Sequence, residues 1–405
     1  MEKKHFYDFG FDDLLLDGID AMNYEYATPV QEQVIPIILE GRDIIAAAQT
    51  GTGKTAAFLL PLIQKLLEHT HDHHTINAMI IVPTRELAVQ ISQVLEGLAY
   101  YTDISSIAIY GGSGGEVFAT EKKALSTGAD IVICTPGRMI AHLNMGYVKL
   151  QGLRYLVLDE ADRMLDMGFY EDIVKIINEM PKERQNLMFS ATMPPAIRKL
   201  ANTILKNPAE INIAISKPPE QIVQQAYLVF DAQKIPLVKH ILQHGKFESV
   251  IVFCSSKLSV KKLTETLKRA KFSVDEIHSD LEQDKREQVL IDFKSKKLKI
   301  LVATDILSRG IHIEDVDLVL NFDIPHDGED YVHRIGRTAR AASKGTAITF
   351  VGEKDQFKFS KIEKLLGRAV DKGKVPEELG PVPAPGQSFD RPAGKKRYNK
   401  FKRKK

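Results

Sequence analysis

Short apolar runs, many of them β-branched, recur along the chain and each ends at a polar or turn-forming position. DIIAAA, AMIIVP, SIAIYGG, DIVICTP, YLVLDE and LMFSAT form a first set that ends near residue 213. QAYLVF, SVIVFC, KILVAT, LVLNFD and GTAITFV form a second. Apolar runs this short, bounded by turn signals, read as buried strands. Between them lie helix-period stretches such as TAAFLLPLIQKLLEH, where Phe58, Leu59, Leu62, Ile63, Leu66 and Leu67 share a face and Pro61 predicts a kink. Buried strands joined by helical crossovers predict parallel α/β sheets, here two in tandem. The halves share a strand–helix rhythm but no internal sequence repeat.

Punctuation along the chain sets the boundaries. Pro208, Pro218 and Pro219 mark a linker within NPAEINIAISKPPEQ. After about Gly367 the pattern dissolves into PEELGPVPAPGQ, a Pro-rich spacer. The expected layout is a first domain over 1–207, a linker over 208–223, a second domain over 224–368, and a spacer with tail over 369–405. A chain of 405 residues is too long for one typical core, which agrees with two.

Net charge is +2, but nine Lys or Arg and no acid fall in Arg391–Lys405, which leaves −7 on residues 1–390. Such a tail is a disordered arm for nucleic acid or a solubilising terminus; composition alone weighs the two equally. Cys134 and Cys254 sit in separate apolar runs, which points to a reducing interior rather than a disulfide framework. No apolar run is long enough for a membrane helix and MEKKHFYDF lacks a signal peptide's apolar core, so a cytoplasmic location is expected. HTHDHH (69–74) has no second ligand run near it and reads as a polar surface loop rather than a metal site.

AQTGTGKT (48–55) follows the strand DIIAAA and precedes a helix. A Gly-rich turn there aims backbone N–H groups and the helix N-terminus at phosphate oxygens. Gln49, Thr50, Gly51, Thr52 and Gly53 form the cradle, Lys54 reaches the β- and γ-phosphates, and the Thr55 hydroxyl holds Mg²⁺. Ala48 stands where the usual pattern begins with Gly. YLVLDEAD runs a buried strand into Asp159 and Glu160. Acidic groups are seldom buried without a partner, and a metal on the phosphates is the fitting one. Asp159 is then expected to hold Mg²⁺ through water, and Glu160 to orient or deprotonate the attacking water.

Further motifs stand in a recognisable order: ATPVQ (27–31), PTRELA (83–88), GG (111–112), TPGR (135–138), SAT (190–192), VFC (252–254), HSDLEQDKR (278–286), ATDILSRG (303–310) and HRIGRTAR (333–340). With AQTGTGKT and DEAD they span residues 6 to about 365, and the chain resembles the DEAD-box RNA helicases. That resemblance implies two tandem RecA-like α/β domains with parallel sheets, a short linker and a disordered basic tail. It implies ATP and Mg²⁺ as cofactors, with Gln31 reading the adenine edge, Phe6 packing on the base and Asp305 completing the nucleotide site. Arg337 and Arg340 are implied as arginine fingers from the second domain. Ser190 and Thr192, with Asp162 and His333, are implied to couple nucleotide state to RNA binding. Arg85, Gly112, Thr135, Arg138, Arg286 and Thr304 are implied to line the RNA backbone.

The implied activity is RNA-stimulated ATP hydrolysis driving local, non-processive separation of short duplexes or remodelling of RNA–protein complexes. An ATP-gated RNA clamp is the alternative; intact Glu160, Arg337 and Arg340 favour the enzyme. The implied partners are RNA, read weakly for sequence, and ribonucleoprotein or RNA-decay assemblies, with the chain itself a monomer and no membrane. His312, at a position expected near the ATP ribose, Ala339 and Ala27 depart from the family's usual Asp, Gly and Pro, and none removes a catalytic group.

Overall fold

The computed structural model describes residues 3–48, 52–68, 73–111, 115–212, 221–304, 313, 316–325, 328–338 and 345–384. Gln49, Thr50, Gly51, Gly112, Asp305, His312, Ala339, Arg340 and the basic tail lie outside them.

Seven short strands make the first sheet: β1 (Ile44–Ala47), β2 (Ala78–Ile81), β3 (Ser106–Ile109), β4 (Ile131–Cys134), β5 (Tyr155–Leu158), β6 (Gln185–Ser190) and β7 (Ala209–Asn212). All pairings are parallel, in the order β3-β4-β2-β5-β6-β1-β7. The second sheet holds β8 (Ile222–Leu228), β9 (Val250–Cys254), β10 (Val274–Ile277), β11 (Ile300–Thr304), β12 (Leu318–Asn321), β13 (Gly345–Val351) and β14 (Asp371–Lys372). Its order is β10-β11-β9-β12-β13-β8-β14, again parallel. Counted from its own first strand, each sheet runs 3-4-2-5-6-1-7. The rhythm seen in sequence is therefore a repeat of topology.

Two-sided burial explains the unbroken apolar runs. In the first sheet, Ile44, Ile80, Ile133, Val157 and Phe189 face a core shared with α1 (Asp13–Ala21), α2 (Pro29–Leu39), α3 (Lys54–Glu68) and α4 (Arg85–Leu98). Their neighbours Ile45, Met79, Ile81, Val132, Leu156 and Met188 face the other side. There they meet α5 (Gly115–Thr127), α6 (Pro136–Leu143), α7 (Ala161–Asp166), α8 (Tyr170–Asn178) and α9 (Pro195–Ile204). Each such side chain contributes about 1.5–3 kcal/mol by leaving water. In the second sheet, α10 (Asp231–His244) and α11 (Lys257–Arg269) cover one face, and α13 (Gly328–Ile335) and α14 (Gln356–Leu366) pack on the other. α12 is Gln283–Lys294.

The chain forms two compact units, one on each sheet, and His278–Ile291 groups with the first. Three strands fall where none was expected. β7 lies inside the segment read as linker, β14 inside the segment read as spacer, and β10 in the charged stretch VDEI. Pro61 sits within α3, which continues across it to Glu68. Among the described residues, no helix is long and apolar enough to cross a membrane.

Candidate active site

In a parallel sheet all C-terminal strand ends share one edge, and β5, β6 and β1 are consecutive neighbours there. The phosphate loop after β1, the carboxylates after β5 and the Ser-Ala-Thr segment after β6 are thereby brought together, with Ser190 and Thr192 in the middle. That edge, where ligands bind in open α/β sheets, is the candidate site.

Lys54 opens α3 and is buried, and its Nζ makes no hydrogen bond among the described residues. Its nearest charge partner is Asp159 Oδ1 at 4.0 Å. A buried ammonium with its donors unsatisfied is costly, and a phosphate oxygen is the acceptor it fits. Asp159 shows the complementary deficit. Burial pushes its carboxyl up to about 6, the Lys54 ammonium opposes this, and Glu160 adds to it. The pocket thus lacks positive charge, which suits a divalent cation held by Asp159 and Thr55. Among the described residues no cluster of three or more His, Cys, Asp or Glu offers a closed protein cage.

Glu160 is buried and adopts φ 49°, ψ 49° as the N-cap of α7. A non-glycine residue in that region costs on the order of 1–3 kcal/mol. The turn re-aims its side chain at the sheet edge, and its N–H donates to Asp159 Oδ1 at 2.9 Å. Arg163 Nη1, one helical turn on, donates to Glu160 Oε2 at 3.3 Å. Sequence reasoning missed Arg163, although its i+3 spacing from Glu160 on the helix that follows was the available signal.

Asp162 Oδ2 accepts from both the N–H and the hydroxyl of Thr192, each at 3.0 Å. Ser190 Oγ donates to Thr192 O at 2.7 Å and accepts from Asp162 N–H at 3.3 Å. The acidic motif and the Ser-Ala-Thr segment are therefore one hydrogen-bonded unit, so a shift in one moves the other.

Gln31 braces the loop directly. Its Oε1 accepts from Thr28 N–H at 2.8 Å, closing the start of α2, and its Nε2 donates to Gly53 O at 3.0 Å. Both ends of the amide thus brace the loop. Phe6, implied to pack on the base, lies in the core of the first unit. Its ring is 1% exposed, packed against Phe9 and Tyr24, because an apolar ring gains more from the core than from an open edge. Tyr7 and Tyr26 are open at this corner, and Tyr26 lines a cavity of roughly 680 Å³ with Lys3, Lys4 and Asp8.

The residues assigned to the RNA backbone converge in part. Arg85 starts α4, and its guanidinium lies beside Gly111, 3.6 Å from where a Cβ would stand. Its pKa is lowered by burial, then by Arg286 and, more weakly, Arg138, with Glu86 opposing. Arg286 in turn pairs with Glu86 at 2.8 Å. Thr135 is the N-cap of α6, three residues before Arg138. In the second unit, Thr304 ends β11, His333 lies on α13, and Arg337 follows it with its N–H on Arg334 O at 3.2 Å; all three are buried. Arg334, which sequence reasoning passed over, is fully buried; its Nη1 donates to Asn321 Oδ1 and Asp323 O at 2.9 Å each.

Tandem parallel sheets with a phosphate loop and paired carboxylates on the first sheet's edge define a P-loop, RecA-like, nucleotide-using enzyme. The DEAD/DEAH box helicase family model matches residues 28–200, and the helicase conserved C-terminal domain matches 233–342. The ATP-dependent RNA helicase CshA of Listeria monocytogenes is 44% identical over 347 residues, covering 85% of this chain and 66% of that protein. The DEAD-box ATP-dependent RNA helicase CshA of Bacillus cereus is 41% identical over 372 residues, 92% of this chain and 70% of that protein. The chain thus spans about two thirds of the length of these relatives. S. cerevisiae Dbp5 bound to RNA and ADP BeF3 superposes with a TM-score of 0.82 at 31% identity, covering 93% of this chain and 97% of that one. The chain belongs to the DEAD-box family of ATP-dependent RNA helicases.

Proposed function

We propose that this chain binds the backbone of single-stranded RNA, hydrolyses ATP in response, and uses the cycle to separate short duplexes locally. One observation carries the RNA reading. Arg85, Arg138 and Arg286, from three separate motifs, lie close enough for Arg138 and Arg286 to lower the Arg85 pKa. Glu86 and Glu121 pair with Arg286 and Arg138, so two carboxylates offset three guanidinium groups, and a phosphate backbone supplies the further anion that such a cluster fits.

In this reading Lys54 and the Gly-rich turn hold the triphosphate, and Gln31 ties the turn to the base side. Asp159 and Thr55 would hold Mg²⁺, which would supply positive charge beside the phosphates. Glu160 takes the proton of the attacking water. Arg337 and Arg340 of the second unit stabilise the charge on the transferring group, a contribution worth about 10³–10⁵ in rate for such fingers. Asp162, Thr192 and Ser190 transmit the change to the RNA-lining loops, with His333 coupling from the second unit. We place the protein in the cytoplasm, acting as a monomer.

The test is a comparison of nucleic acids. ATP turnover is expected to rise several-fold with single-stranded RNA and hardly at all with DNA of the same sequence, because backbone readers distinguish the two through the 2′-hydroxyl. Equal stimulation by both would remove the RNA assignment. The basic tail is expected to tether duplex RNA without entering the site. Deleting residues 391–405 should weaken RNA binding and flatten its salt dependence, while turnover at saturating RNA barely changes. An unchanged salt slope would make the tail a solubilising end.

A further inference from the structure

Arg138 does not hang free on α6. Its Nε donates to Glu121 Oε2 at 2.7 Å, and Nη2 lies on the same oxygen at 2.5 Å. Its guanidinium lies over the Phe118 ring, 4.7 Å from the centroid. Phe118 and Glu121 are one turn apart on α5, directly after the Gly-Gly motif, while Arg138 and His142 are one turn apart on α6. His142 closes the group. Its Nε2 is 3.0 Å from the Glu121 oxygen that Arg138 uses, its ring stacks on Phe118 at 4.6 Å, and Nδ1 meets the Tyr147 hydroxyl. Glu121 is 2% exposed and His142 is 0% exposed.

Chemistry fixes the proton positions. A carboxylate only accepts, so His142 Nε2 carries the hydrogen and Nδ1 accepts from Tyr147. Burial lowers the His142 pKa, against the opposing effect of Glu121, which favours this neutral form. A neutral histidine leaves the Glu121 charge to be balanced by Arg138 alone. A buried carboxylate that loses its only cation is heavily penalised, so Arg138 is held in place. Nε and Nη2 both face Glu121, which leaves Nη1 outside that contact.

We infer that Glu121 and His142 are positioning residues for RNA. Together they clamp the Arg138 guanidinium so that Nη1 is presented to a backbone phosphate, and they tie the helix after Gly-Gly to the helix after Thr-Pro-Gly-Arg. The inference rests on the reading of Arg138 as a phosphate contact. An arginine that enters an RNA complex already fixed gives up little side-chain entropy on binding.

The variants are Glu121→Gln, His142→Gln, Arg138→Ala and the pair Arg138→Ala/Glu121→Gln, read by RNA titrations across salt and by RNA-stimulated turnover. ATP binding without RNA and thermal unfolding report that each variant is folded. Arg138→Ala is expected to lower the salt slope of single-strand binding by about 0.7, the value of one phosphate contact. Glu121→Gln should weaken RNA binding several-fold and His142→Gln less so. Both should raise the RNA concentration needed for half-maximal turnover more than they lower the maximal rate. The pair should bind RNA no more weakly than Arg138→Ala alone, since Glu121 acts through Arg138. Full additivity overturns the proposal, as does normal RNA binding by Glu121→Gln and His142→Gln. If Arg138→Ala leaves binding and salt slope unchanged, the phosphate contact and the inference fall together. RNA stimulation of the unaltered protein tests the wider functional reading separately.

Discussion

Glu160→Gln is expected to lower ATP turnover by about 10²–10⁴, the usual loss on removing a general base, while ATP binding persists. The structure makes this a clean substitution. Glu160 is placed by its backbone at φ 49° and by the N-cap position of α7, neither of which depends on charge. A glutamine there keeps an oxygen to accept from Arg163 Nη1. Lys54 and Asp159, the residues proposed for the phosphates and the cation, are untouched. What the amide loses is the ability to take a proton. Complexes with ATP and RNA should therefore outlive those of the unaltered protein, read as slow RNA release in the presence of ATP and fast release with ADP. Single-turnover hydrolysis at near-normal rate would exclude Glu160 from the proton step.

The centre of each sheet was legible in the sequence and the margins were not, for a reason of exposure. Strands such as VIVFC and YLVL are buried on both faces and carry continuous apolar runs. β7 (AEIN) has one neighbour, β1, and only Ile211 is buried. β10 (VDEI) pairs only with β11 and leaves Asp275 and Glu276 partly in water. β14 pairs only with β8 and is exposed throughout. Edge strands with solvated faces do not need apolar sequence, so nothing separates them from a loop in a periodicity reading. The topological repeat was hidden for a related reason: strand order depends on crossover handedness and burial, which many sequences satisfy.

The site divides the same way. Lys54, Asp159, Glu160, Asp162, Ser190 and Thr192 lie in contiguous motifs at strand ends, and β1, β5 and β6 being neighbours brings them together. Residues that act through others escaped. Glu121 meets Arg138 and His142 only because α5 and α6 pack side by side, a contact between helices that no local spacing encodes. Phe6 was named through the family resemblance, and its packing against Phe9 and Tyr24 is a contact that no local spacing encodes.

Gly53→Ala is expected to reduce ATP affinity by roughly 10²–10³, because two independent features of the loop forbid a side chain there. Gly53 has φ +90°, outside the region L-residues adopt readily, which costs on the order of 1–3 kcal/mol. A Cβ would also stand 2.6 Å from Gln31 Nε2 and 3.0 Å from Thr28 Oγ1. Relief requires Gln31 to swing away, breaking its bonds to Gly53 O and Thr28 N–H. Each is worth about 0.5–1.5 kcal/mol net. Strain and lost bracing together span about 2–6 kcal/mol, and the middle of that range, at tenfold per 1.4 kcal/mol, gives the expected loss of affinity. Gly41→Ala separates the two causes, since Gly41 has φ +80° but nothing within 4 Å of the added carbon. It should lower thermal stability modestly and leave ATP affinity unaltered, as Gly41 lies between α2 and β1 at the opposite end of the strand from the loop. The measurement is an ATP titration of both variants beside their unfolding midpoints. If Gly53→Ala binds ATP within threefold of the unaltered chain, the Gln31 brace is not what shapes the phosphate loop.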